Sequence, residues 1–296
     1  MGITIIADAV SNLFPAIIKE NNLNVRIMNM HLTIGDREYN CYNDEIDVKE
    51  FSKTYYQMMD EGYKTSTTLV NTYDFLEVFK EEVKKGNKVI CFCMAKGISG
   101  TYNSAVLAAT EINENHKEEL IHVIDTRTAG LGEGMQAIHA DELVKQGKSF
   151  EEVVEECERY KLFVRSDFTV DNIKFLLSTG RVSRLFAKFA NLINIKVLLK
   201  HNDESKIAFA GSVIGRKNSI KKLCKIVLDK IDTNVDQVIY ITHCDAIVDA
   251  IRIKELLREG GIKNKIKIYD YDLVGGAHIG PRSLAVFYLA REGETD

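Results

Sequence analysis

A chain of 296 residues, 45% apolar and 28% charged, has the composition of a folded protein with a large buried core. A net charge of −4 and a pI near 6.0 exclude the basic excess of a nucleic-acid surface. No run of about 18 apolar residues spans a membrane, and the start of the chain lacks the basic region and long apolar stretch of a signal peptide, which points to the cytoplasm.

Residues 3–7 read as a first strand ending at Asp8, a place where ligand-facing groups lie in open α/β sheets. Ser11 is positioned to cap a helix over 12–21, with Pro15 in its first turn. A second strand follows at 25–30, and the polar-interrupted stretch 32–42 suits a hairpin arm or flap. Asp47 caps a helix over 48–60 whose Phe51, Tyr55 and Met58 share one face. The hydroxyl run Thr65, Ser66, Thr67, Thr68 then precedes an amphipathic helix over 73–84, either as a solvated turn or as a set of donors.

A buried strand over 88–93 opens through Gly97 and Gly100 into a helix from Tyr102. Such a junction favours an anion, because the glycines allow a sharp turn and the free amides of a helix start attract negative charge. Ser99 and Thr101 add hydroxyls there, as ligand donors or as a plain cap. A strand over 120–124 ends at Asp125, and Gly130, Gly132 and Gly134 lead into a long helix through 146. Their spacing lacks the dinucleotide pattern and reads as close packing. With an acidic helix over 150–161, residues 1–160 make an α/β domain built on a mostly parallel sheet in three layers.

Residues 161–296 make a second α/β domain with a mixed sheet. A strand over 162–169 and a short helix over 172–178 lead to Thr179-Gly-Arg181. The segment 185–195 places Leu185, Phe186, Phe189, Leu192 and Ile193 at helical spacing, flanked by Arg184, Lys188 and Lys196. Strands over 196–199 and 206–213 pair antiparallel around the turn 201–205. Arg216 opens a basic helix to 230, and strand, helix and strand follow over 238–242, 246–258 and 265–271. A glycine-rich stretch, 275–281, precedes a last apolar segment over 284–289. The six cysteines are scattered through apolar runs and read as reduced core thiols, with no metal site.

In this arrangement the chain resembles the DegV family of fatty-acid-binding proteins. Five motifs in family order carry the likeness: Ile6-Ala-Asp8, Lys64-Thr-Ser66, Gly97-Ile-Ser-Gly-Thr-Tyr-Asn-Ser-Ala105, Val123-Ile-Asp125, and the pair Thr179-Gly-Arg181 with His278-Ile-Gly-Pro281. The resemblance implies two domains enclosing a tunnel for one long-chain fatty acid, its carboxyl group held at the domain interface by Thr65, Ser66, Ser99 and His278. Arg181, Gly100 and Thr101 are implied as the supporting network. It further implies no cofactor, and a carrier that presents the acid to a separate ATP-dependent kinase subunit for acyl phosphate formation, with Arg216 on the surface that meets that subunit. Three positions depart from the family pattern: Thr67-Thr68 replace a common Gln-Pro, Ala95 and Lys96 replace two serines, and Arg282 replaces a glycine. They are expected to bring two cations to the head-group end.

An enzyme reading pairs Ser99 with His278 as a hydrolase dyad oriented by Asp8 or Asp125, although Gly-Ile-Ser-Gly-Thr is not the nucleophile elbow. The stripe over 185–193 has the pattern of a lid that touches an anionic membrane surface, or of a core helix with snorkelling cations.

Overall fold

The computed structural model describes residues 2–42, 47–190, 192 and 194–293. In chain order the first elements are β1 (Gly2–Asp8), a 3-10 turn (Ala9–Ser11), α1 (Pro15–Glu20), β2 (Val25–Met28), β3 (His31–Ile34), β4 (Arg37–Asn40), α2 (Val48–Asp60) and β5 (Thr65–Thr67). Next come α3 (Thr72–Lys84), β6 (Asn87–Cys93), α4 (Thr101–Asn113), β7 (Ile121–Asp125), α5 (Leu131–Lys145) and α6 (Phe150–Tyr160). The remainder is β8 (Val164–Val170), α7 (Lys174–Ser178), a 3-10 segment (Arg184–Phe189), β9 (Ile195–His201), β10 (Ile207–Ile214), α8 (Arg216–Lys230), β11 (Val238–His243), α9 (Ile247–Glu259), β12 (Lys265–Asp270), α10 (Leu273–Ile279) and β13 (Leu284–Leu289).

The helix starts follow side-chain caps. Asp47 accepts the amides of Lys49 and Glu50, Asn71 that of Asp74, and Ser149 forms a capping box with Glu152. Ser11 caps nothing: its place is the end of a 3-10 turn capped by Asp8, and α1 begins only at Pro15, whose fixed φ suits a first helical position.

The first sheet is parallel throughout, in the order β2-β1-β6-β7. Helices α3 and α4 cover one face and α5 the other, giving three layers. The second sheet is mixed, in the order β10-β9-β8-β13-β11-β12, so the last of the described strands lies in its middle. Helices α8 and α9 cover its outer face, and α5 also touches β8 and β13, so one helix is wedged between the two sheets. Both α/β domains and the mixed second sheet are therefore as the sequence patterns indicate.

Three local readings change. The hydroxyl run is a strand, β5, which joins β3 and β4 in a small antiparallel sheet. The glycine-rich stretch near 275 is a helix, α10, because Asp272 accepts the Gly275 amide as its cap. The stripe after 184 is a short 3-10 segment in which Phe186 is buried and Leu185 is 80% exposed; Ile193 lies outside the described residues. All six cysteines are buried and free.

Candidate ligand-binding site

Because β1, β6 and β7 run parallel, the loops after them gather at one edge of the first sheet, where such folds hold ligands. The second domain closes over this edge and leaves a cavity of about 410 Å³. The first domain supplies Thr67, Thr68 and Leu69 from β5 onward, and Lys96–Gly100 from the loop after β6. The second supplies Phe168, Leu176, Arg181, His201 and Ile207, with Val274 and His278 from α10.

The two glycines of the loop have different work. A Cβ on Gly97 would lie 2.2 Å from the Ser205 carbonyl oxygen, so this glycine admits the β9–β10 turn rather than a ligand. A Cβ on Gly100 would meet only the Leu69 side chain, at 3.2 Å. Ser205 Oγ donates to Asp125 Oδ2 at 2.6 Å, which ties the same turn to the end of β7. Gly132 and Gly134 are packing glycines, as their spacing indicates, with Cβ positions 2.4 Å from Thr128 Oγ1 and 2.3 Å from the Ser11 carbonyl.

Ser99 is half-buried on the cavity wall. Its Oγ accepts the Thr101 amide at 3.2 Å and pairs with Thr101 Oγ1 at 3.0 Å. Gly100, at the cap position of α4, brings no side chain, so Ser99 supplies the capping oxygen. Thr101 itself is fully buried and lies off the wall, behind Ser99.

Alternation along β5 divides the hydroxyls. Thr65 and Thr67 face α10: Thr65 Oγ1 donates to the Ala277 carbonyl at 3.4 Å, and Thr67 Oγ1 pairs with His278 Nε2 at 3.0 Å. Ser66, between them, is exposed. Thr67 lines the cavity; Thr65 and Ser66 do not. Thr67 and Thr68 thus stand on the wall at the two positions where the family pattern has Gln-Pro, a role the sequence reading missed.

His278 keeps Nδ1 without a partner among the described residues. Burial, and then the nearby Arg181 charge, push its pKa down to about 4, so the ring is neutral near pH 7. Arg181 follows Gly180, whose φ of +73° turns the chain sharply after α7. Its guanidinium donates to the Thr179 carbonyl and has no carboxylate partner among the described residues; burial alone lowers its pKa. An unpaired cation beside a neutral imidazole and three hydroxyls is a setting that lacks an anion.

The two expected head-group cations are spent elsewhere. Lys96 reaches the rim but its Nζ lies 3.7 Å from Asp125. Arg282 is away from the cavity wall and bridges Asp60 and Asp171. Arg216 is remote from the cavity lining as well, with its Nε donating to Asp249 at 2.8 Å. Nor is the hydrolase dyad assembled, since Ser99 and His278 take Thr101 and Thr67 as partners rather than each other.

Asp8 is fully buried and lies off the cavity wall. It accepts the amides of Val10 and Met94, and Glu133 in turn accepts its own amide. Burial pushes Asp8 up to about 6 and Glu133 well above the usual carboxylate range. His201, at the end of β9, is the wall residue that the sequence hid most completely; it looked like part of a polar turn.

A family model described as an uncharacterised protein of the DegV family matches residues 2–291. A DegV domain-containing protein of Clostridium perfringens is 33% identical over 285 residues, 96% of each chain. Among solved structures, a fatty-acid-binding DegV family protein of Thermus thermophilus superimposes with a TM-score of 0.84 at 24% identity, covering 98% of this chain and 100% of its own. A DegV family protein of Eubacterium eligens loaded with heptadecanoic acid gives a TM-score of 0.82 at 17% identity, over 98% and 100% of the two chains.

Proposed function

This chain belongs to the DegV family, and from that membership and the cavity we propose that it binds one long-chain fatty acid with the carboxyl group at the domain interface. The observation that carries the reading is Arg181, a partly buried cation on the cavity wall with no carboxylate among the described residues to neutralise it. A carboxylate supplies the missing charge; Ser99 can donate to its oxygens, and so can either Thr67 or His278, the other giving its proton to the bond between them. Thr65 braces α10 from below, Thr101 and Gly100 set Ser99, and Ser66 has no ligand role. Relatives of the same fold support the reading: the Thermus protein is a fatty-acid binder and the Eubacterium protein was solved with heptadecanoic acid.

In this proposal the protein is a cytoplasmic carrier that presents the acid to an ATP-dependent kinase subunit, with the division between its domains at 160/161. The partner surface lies around Arg216, where Ile214, Ile247 and Val248 are exposed beside the Arg216–Asp249 pair. Lipid exchange takes place at a membrane surface through the 3-10 segment and its neighbours, where Leu185, Leu192 and Phe209 are exposed and Lys188 lies over the Phe189 ring. Mass spectrometry of the denatured, purified protein tests the core of the reading. Release of a long-chain fatty acid by wild type and its loss from Arg181→Ala are expected; turnover of an ester substrate, with no lipid released, overturns it.

A further inference from the structure

Along β9, Leu198 packs toward α8 and α9, whereas Val197 and Leu199 enter the core shared with the first domain. His201 has the parity of Val197 and Leu199, and it lines the cavity. It is only 7% exposed, and neither ring nitrogen has a partner among the described residues. Its wall neighbours Phe168 and Ile207 are apolar, with the Phe168 ring centroid 5.6 Å away.

Burial pushes this imidazole down to about 4, so near pH 7 it is neutral and offers one donor and one acceptor. Buried polar groups almost always find a partner, and leaving one dry is costly. A plain alkyl chain against this wall would satisfy neither nitrogen. A hydroxyl on the chain would satisfy one of them, accepting from N–H or donating to the bare nitrogen.

We infer that His201 selects an acyl chain bearing an oxygen function, a hydroxyl or keto group, along its length. The inference rests on the fatty-acid reading and deepens it. Calorimetric titration of the delipidated full chain with stearic acid, and with hydroxystearic acids carrying the hydroxyl at successive carbons, tests it. At least one hydroxystearic acid is expected to bind about three- to tenfold more tightly than stearic acid, the worth of one neutral hydrogen bond. His201→Leu should erase that preference, and His201→Gln should keep part of it.

Equal wild-type affinity for every acid overturns the inference while leaving the fatty-acid reading intact. So does His201→Leu weakening all the acids alike, which would make His201 a carboxyl contact. Wild-type protein that binds none of them overturns the fatty-acid reading itself. The wild-type comparison needs no variant, so it stands even if a substitution at this buried position fails to fold.

Discussion

Arg282 grips Asp60 with both terminal nitrogens, at 2.5 and 2.9 Å, while its Nε reaches Asp171 at 3.2 Å. The end of α2 is thereby pinned beside the end of β8, across the two domains. The arginine does this from a left-handed backbone, φ +61°, at a position where the family pattern has glycine. Two terms of similar size oppose each other. A left-handed non-glycine residue costs about 1–2 kcal/mol, and a half-exposed ion pair returns about 0–1 kcal/mol. Arg282→Gly should therefore sit within about 1 kcal/mol of wild type in urea denaturation, whereas Arg282→Ala, which keeps the strain and loses the clamp, should be the less stable variant. The reverse order would mean that the left-handed backbone at this position carries no strain for a side chain.

Ser99 and Ser66 should part company in a binding assay. Removing a donor to a buried carboxylate costs about 1.5–3 kcal/mol, so Ser99→Ala should weaken fatty-acid affinity roughly tenfold or more. Ser66 is exposed on the far face of β5, and Ser66→Ala should change nothing. Unchanged affinity in a folded Ser99→Ala protein removes Ser99 from the head-group site.

The glycines of the same loop give a contrast in stability. Gly97→Ala drives a methyl group into the Ser205 backbone, which cannot rotate away, and overpacking of this kind costs about 1–3 kcal/mol. Gly100→Ala meets only the end of Leu69, a flexible side chain, and should be mild. Urea midpoints of the two variants decide; equal midpoints would show that the β9–β10 turn can retreat freely.

His201 imposes an acid sensitivity whose sign is fixed. Its folded pKa of about 4 lies below the unfolded value of about 6.5, so the unfolded chain binds the extra proton. Stability from this residue is complete above the unfolded pKa and declines as pH falls toward about 4. At pH near 4.5 the loss reaches roughly 2–3 kcal/mol. Raised carboxyls such as Asp8 work in the opposite sense over the same range, so the measurement is a difference. The gap in unfolding free energy between wild type and His201→Leu should shift toward the variant on acidification, and a constant gap would mean the imidazole takes up its proton alike in the folded and unfolded chain.

If the 3-10 segment meets an anionic bilayer, Lys188→Glu should slow lipid exchange with anionic vesicles and leave neutral ones unaffected, with high salt mimicking the substitution. Exchange indifferent to charge, salt and substitution would confine the segment to packing.

Where local chemistry decides structure, the sequence spoke clearly. Asp47 starts α2 by bonding its own helix amides, and β6 is apolar from Val89 to Cys93 because both of its faces are covered. The loop around Ser99 was legible for the same reason, since strand, glycine, hydroxyl and helix follow one another in the chain. Position across the fold was harder to read. Thr67 reaches the cavity because pairing with β3 fixes which hydroxyls of β5 point inward. His201 is buried because β10 and the neighbouring Phe168 enclose it, and nothing adjacent in sequence reports that. Arg282 passed for a head-group cation because Asp60 and Asp171 are distant in the chain.

The place of β13 bears on how the protein is made. A ribosome delivers the strands of the first sheet early and in succession, so that sheet can close while translation continues. The second sheet has no such freedom: its central position, between β8 and β11, is taken by the strand that emerges after the sheet's other five. Until residues 284–289 arrive, β8 and β11 have no common neighbour and their edges stay open. Nascent chains stalled before residue 284 should therefore carry a protease-resistant first half and a digestible second half, and the second-domain side of the binding cavity is fixed only once β13 has emerged.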